Sequence, residues 1–136
     1  MGPDEARDFL RDNHRAVLAT RRRDGRPQMS PVVAAVDADG RALVSTRETA
    51  IKTKNAERHP DVSLCVMSDR FFGPWVQIDG TVEIVRRPEA LDVLVDYYRR
   101  VSGEHPDWDD YRAAMDRERR VVLRISVTSA GPDVAG

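Results

Sequence analysis

The alternation of apolar and polar positions changes period several times along the chain, and each change marks an element. Residues 4–13 place Ala6, Phe9 and Leu10 at helical spacing, with Pro3 where a first-turn proline is tolerated. Residues 15–22 then read as a strand. Asp24-Gly25 is a two-residue hairpin signal, because a type I′ turn needs positive φ at both central positions. A second strand over 26–36, a turn at 37–40 and a third strand over 41–46 complete a three-stranded meander. Helical spacing returns over 49–58, with Thr49 placed to cap the first turn. Strands follow at 62–67 and 75–85. In the second of these, Gln77, Asp79, Thr81 and Glu83 alternate with Val76, Ile78, Val82 and Ile84, which predicts one wet or ligand-facing side. Pro88 opens a helix to Val101 that buries Leu91, Leu94, Val95 and Tyr98, with Gly103 as its C-cap. Residues 108–117 read as a short helix, 121–127 as a sixth strand, and the tail from about 128 as loose. Short strands joined by tight turns, with helices inserted late, predict a mainly β fold with flanking α: a six-stranded antiparallel barrel rather than a βαβ sheet.

Length narrows this to one domain, since 136 residues hold too little apolar material for a second core. The charged start of the chain lacks an apolar stretch of the signal-peptide kind, and no apolar run approaches a membrane span, so the expected location is cytoplasmic. A net charge of −1 supplies no overall field for nucleic acid or an anionic membrane, and neither is expected as a partner. Cys65 is the single cysteine; within Val62-Ser63-Leu64-Cys65-Val66 it reads as a buried strand position and a small hydrophobe.

The absences are informative about chemistry. The chain has no Gly-x-Gly-x-x-Gly loop, no Walker-type phosphate loop, no Gly-x-Ser-x-Gly elbow and no Cys/His spacing suited to zinc. His14, His59 and His105 are scattered among charges and prolines, which suits surface or capping roles. No side-chain catalytic residue and no metal are expected. Several anion-binding devices do coincide at the junction from residue 44 to residue 55. Ser45, Thr46 and Thr49 offer hydroxyls, a helix start offers free N–H groups, and Lys52 falls in the first turn. A phosphate cradle and a capped surface helix with solvated lysines fit that pattern equally. In Pro27-Gln28-Met29-Ser30-Pro31-Val32 two prolines interrupt the ladder and confine the segment to an edge or bulge, protected or ligand-facing. Phe71-Phe72-Gly73-Pro74-Trp75 brings aromatics suited to a core, an interface or a flat ring. The arginines at 21–23 and 26, and those at 117, 119 and 120, read as solvated ends of elements.

Three blocks in order then carry a resemblance: Val17-Leu18-Ala19-Thr20, Asp24-Gly25-Arg26-Pro27-Gln28-Met29-Ser30, and Lys52-Thr53-Lys54-Asn55 before Arg58-His59-Pro60. Together they resemble the pyridoxamine 5′-phosphate oxidase-like split-barrel superfamily. The segment from Ser102-Gly103-Glu104-His105-Pro106-Asp107-Trp108 to Tyr111, with Arg119-Arg120-Val121, is similar to its mycobacterial-type deazaflavin-dependent branch. The resemblance implies an FMN-binding type of split barrel, a homodimer with cofactor clefts at the interface, and coenzyme F420 in preference to FMN. It implies hydride transfer between that cofactor and a small-molecule substrate. By position, Gln28, Met29, Ser30, Pro31 and Val32 would line the ring, with Ser45, Thr46, Ile51 and Lys52 at the phosphate. Lys54 or Asn55 would lie near the acidic tail, and Trp75 and Gln77 would approach from the fifth strand. Ala50 stands where some relatives carry an arginine, and Pro31 where a polar residue can occur. A flavin, haem or nucleotide carrier without turnover is the competing class. An oxidase of pyridoxamine phosphate would need substrate-phosphate arginines that the C-terminal end does not match.

Overall fold

The computed structural model describes residues 1–133. In chain order the elements are α1 (Pro3–Asp12), β1 (Arg15–Arg21), β2 (Pro27–Val36), β3 (Ala42–Arg47), α2 (Ile51–Arg58), β4 (Asp61–Met67), β5 (Trp75–Val85), α3 (Glu89–Ser102), α4 (Trp108–Arg117) and β6 (Arg120–Asp133). The six strands close into an antiparallel barrel in the order β1-β2-β3-β6-β5-β4. The β1–β2 connection is not the two-residue type I′ turn expected: Gly25 takes φ +88° but Asp24 does not take positive φ, and the Gly25 N–H donates to the Arg22 carbonyl at 3.0 Å, so the turn spans residues 22–25, with Asp24 accepting from the Arg26 N–H at 3.0 Å. The hairpin is therefore local chemistry, set by a residue without Cβ and a short acceptor beside it.

Strand parity builds the core. Leu18 of β1, Leu64 and Val66 of β4, Val76 and Ile78 of β5, and Leu123 and Ile125 of β6 point inward and are fully buried, with Ala6 and Leu10 of α1 joining them. Each large apolar side chain so removed from water stabilises the fold by roughly 1.5–3 kcal/mol. A second cluster lies outside the barrel wall, where Leu43, Val85 and Val122 meet Ala90 and Leu94 of α3 and Tyr111 of α4. Of the four residues expected to bury one face of α3, only Leu94 is fully buried. Val95 and Tyr98 are half-buried against this cluster, and Leu91 is only partly covered because the helix turns Ala90 inward instead.

Two further expectations are corrected. The last strand does not stop at 127: it runs to Asp133, with Ser129, Ala130 and Asp133 pairing with Asp79, Ile78 and Val76 across a register shift. Long β5 offers ladder partners that the Ser-Ala-Gly-Pro composition does not advertise; residues 134–136 lie outside the described residues. Cys65 is on the outer face rather than buried, because Val62, Leu64 and Val66 claim the inward phase of β4.

Candidate functional site

The barrel opens beside β2. Residues 27–33 pair with β1 over their whole length, while β3 pairs only with Ala34, Ala35 and Val36. The Ala34 N–H donates to the His14 carbonyl at 2.8 Å, on the β1 side, so odd-numbered residues of β2 aim their N–H and C=O at the open edge. Pro27 and Pro31 therefore lack a donor where no strand could receive it, which is the edge placement that their sequence requires. From α3, Tyr97 reaches across and its hydroxyl donates to the Val33 carbonyl at 2.9 Å.

A cleft of about 650 Å³ follows this opening, walled by Pro31, Val32 and Val33, by Ser45 of β3, by Lys52 of α2, and by tyrosines of α3 and α4. The sequence-predicted residues Pro31, Val32, Ser45 and Lys52 thus meet in one place. At the α2 end, Ala50 is the N-cap with extended backbone and no side-chain cap, and the helix begins at Ile51 rather than at 49. The first in-helix bond runs from the Lys54 N–H to the Ala50 carbonyl, so the N–H groups of residues 51–53 precede the helical ladder. Thr49, expected as the cap, is not used; the Thr53 hydroxyl instead donates to the Arg47 carbonyl at 2.7 Å, pinning the turn from inside. Lys52 forms no ion pair among the described residues, and the helix dipole adds positive potential beside it. Ser30, next to Pro31 in the strand, has a buried hydroxyl without a hydrogen-bond partner.

Other expected residues fall elsewhere. Asn55 is buried: its Nδ2 donates to the Thr20 hydroxyl at 3.1 Å, its Oδ1 accepts from Arg58 at 2.6 Å, and Thr20 donates onward to Gln28 Oε1 at 3.2 Å. That chain of bonds ties α2 to the β1–β2 hairpin. Thr46 points into the core, Lys54 faces Glu57 at 3.6 Å, and Met29 and Ile51 are exposed on outward faces. Gln77 donates to Asp79, and Trp75 lines a separate hollow of about 490 Å³ with Cys65, Phe71 and Phe72. Phe71 and Phe72 are 80% and 95% exposed, so neither belongs to this chain's core. Met67 lines both this hollow and the Lys52 cleft, so the two meet at its side chain.

Electrostatics around these hollows is specific. Partial burial in the hollow beside Trp75 raises the Cys65 thiol above its ordinary value. Hydrogen bonds from Ser63, Gln77 and Ser129 hold the Asp79 carboxyl below the usual range. Burial raises Tyr111 to about 12, and its hydroxyl donates to the Leu94 carbonyl at 3.1 Å. His105 accepts from the Asp107 N–H at 2.9 Å and packs against Tyr98, Trp108 and Tyr111, while the Asp107 side chain is the cap of α4, and no group of potential metal ligands occurs among the described residues.

A family model for pyridoxamine 5′-phosphate oxidase matches residues 3–131. The chain belongs to this family. Solved structures agree on the fold. A conserved hypothetical protein from Mycobacterium tuberculosis is 29% identical, with a TM-score of 0.75 over 93% of this chain and 81% of that one. An F420 reductase is 23% identical, with a TM-score of 0.70 over 91% and 94%. A heme-binding protein from Mycobacterium smegmatis is 19% identical, with a TM-score of 0.70 over 94% and 52%. Sequence reasoning missed the helical wall of the cleft, Tyr97, Tyr98, Tyr111 and Met115, and missed Arg15 at its far end. The signal for the tyrosines was present as aromatics near the facing ends of two helices, but periodicity assigns such residues to core.

Proposed function

We propose that this member of the pyridoxamine 5′-phosphate oxidase family is an oxidoreductase that holds coenzyme F420 in the Lys52 cleft, with FMN as the weaker ligand. The observation that carries this reading is that Ser45 and Lys52, the latter in the first turn of α2 and without an ion pair among the described residues, line one cleft. Those donors suit a phosphate, because charge and backbone dipoles act on one anion. The F420 reductase among the structural neighbours favours a deazaflavin over FMN. When bound, such a cofactor supplies the hydride chemistry, so the chain needs to position, orient and exclude water rather than provide a side-chain acid.

The same reading includes a homodimer. Trp75 and the exposed Phe71 and Phe72 form an apolar hollow at the start of β5 and the loop before it. A second copy seated there would cover this apolar surface and bring its own Trp75 and Gln77 toward the cleft. The test is titration of F420 and FMN separately, with sedimentation in parallel. F420 should bind at least about tenfold tighter, to a particle of twice the chain mass. Equal affinities, or binding of FMN alone, would reverse the cofactor assignment, and a monomer saturated with cofactor would remove the dimer.

A further inference from the structure

Among the described residues three cations line the cleft and no carboxylate does. Lys52 is taken by the phosphate in the reading above, and Arg120 is held by Glu118 through Nε and Nη2 at 3.0 and 2.8 Å. Arg15 is committed to neither. It is the first residue of β1, paired with Val33 on one side and Met67 on the other, at the end of the cleft away from α2. Its ion partner, Asp69, stands 3.6 Å away with both side chains mostly in solvent, 70% and 90% exposed. Such pairs contribute little, so the guanidinium is free to exchange Asp69 for another anion.

The space beside Arg15 has a definite character. Val33 and Met67 supply the sheet side, and Tyr97, Tyr98 and Met115 the helical side. The Tyr97 hydroxyl donates to the Val33 carbonyl and the Tyr111 hydroxyl to that of Leu94, which leaves Tyr98 as the tyrosine of the wall with an uncommitted hydroxyl among the described residues. What remains is an aromatic and thioether wall suited to a flat apolar body, with one fork-shaped cation at its edge. We propose that the second ligand of this cleft, the substrate, is a planar and largely apolar carboxylate whose anion pairs with Arg15. The proposal rests on the assignment of the Lys52 end to the cofactor.

The probes are 2-naphthoate and its uncharged amide, 2-naphthamide, with binding measured by calorimetry on the folded parent, Arg15→Ala and Arg15→Lys. F420 affinity is measured on the same samples. The parent should prefer the carboxylate by about tenfold or more, the size expected for one charge-assisted contact. Arg15→Ala should abolish the preference, Arg15→Lys should keep part of it, and F420 affinity should stay within about twofold for both. A parent without the preference, or an Arg15→Ala variant that retains it, overturns the proposal. So does loss of F420 binding in Arg15→Ala, which would make Arg15 part of the cofactor site. If the parent binds no F420 yet shows the preference and loses it with Arg15→Ala, the anion subsite stands and the cofactor assignment fails.

Discussion

Replacing Asn55 by alanine separates a structural role from a cofactor role. The side chain is 2% exposed and makes two hydrogen bonds, donating to Thr20 and accepting from the Arg58 guanidinium. The neutral bond is worth about 1 kcal/mol and the charged one about 1.5–3 kcal/mol before discounting for the partly exposed arginine, so the loss should be about 2–4 kcal/mol. At about 2.1 cal/mol/K per residue, 136 residues give an unfolding entropy near 290 cal/mol/K, and the melting temperature should fall by about 7–14 °C. Circular dichroism melts at neutral pH, with coincident near- and far-UV transitions, measure it. Thr20→Val is the control: it breaks the same network, so the double variant should lose less than the two single losses combined. F420 affinity of the still-folded Asn55→Ala protein at 15 °C should change little. An Asn55→Ala protein that melts within 2 °C of the parent but no longer binds F420 would refute this reasoning and return Asn55 to the ligand.

Gly80→Ala should destabilise by about 1–3 kcal/mol, read as a shifted urea midpoint, because the added Cβ would lie 2.5 Å from both Ile125 Cγ2 and the Ser126 carbonyl across the β5–β6 ladder; an unchanged midpoint would mean the strands part freely there. Asp79 has a folded-state pKa depressed chiefly by its hydrogen bond from Ser63, so its contribution is present above the unfolded carboxylate value near 3.9 and is lost as pH falls below it through the folded value. Asp79→Asn should flatten the acid limb of the melting-temperature profile in that window, and an acid limb parallel to the parent's would contradict it. Tyr111 is shifted the other way, to about 12 by burial, so its contribution is whole below about pH 10 and lost as pH rises toward 12. Tyr111→Phe should therefore lose stability at pH 7 but decline less steeply in alkali, and equal alkaline slopes would remove that assignment.

Much of the fold was legible because local signals agreed with one another. Gly25 marks the place of the turn, though not the two-residue type expected, because Asp24 does not share its positive φ, and Pro27 and Pro31 mark an unpaired edge because each lacks a ladder donor. Where the sequence misled, two faces carried similar side chains or the partner was remote. In β4, Cys65 and Met67 are as apolar as Val62, Leu64 and Val66, so composition leaves the phase open and only closure of the barrel chooses it. In α2 the buried residues are Thr53, Asn55 and Ala56, and apolar periodicity is blind to polar groups satisfied inside. The phosphate-type half of the site was readable because Ser45 and Lys52 flank a helix start in sequence. The Arg15 and tyrosine half was not, since β1, α3 and α4 reach it from positions more than eighty residues apart.

The central claim is that Lys52 and the start of α2 hold the phosphate of a deazaflavin cofactor, and the affinity of Lys52→Ala for F420 tests it most directly. A charge-assisted contact of this kind is worth about 1.5–3 kcal/mol, so binding at low salt should weaken by about ten- to a hundredfold. The melting temperature without cofactor should barely move, because an unpaired and partly exposed lysine contributes little to folding. Lys54→Ala, which removes a cation already facing Glu57, should cost less. An Lys52→Ala protein that binds F420 within twofold of the parent would place the phosphate elsewhere and contradict the account.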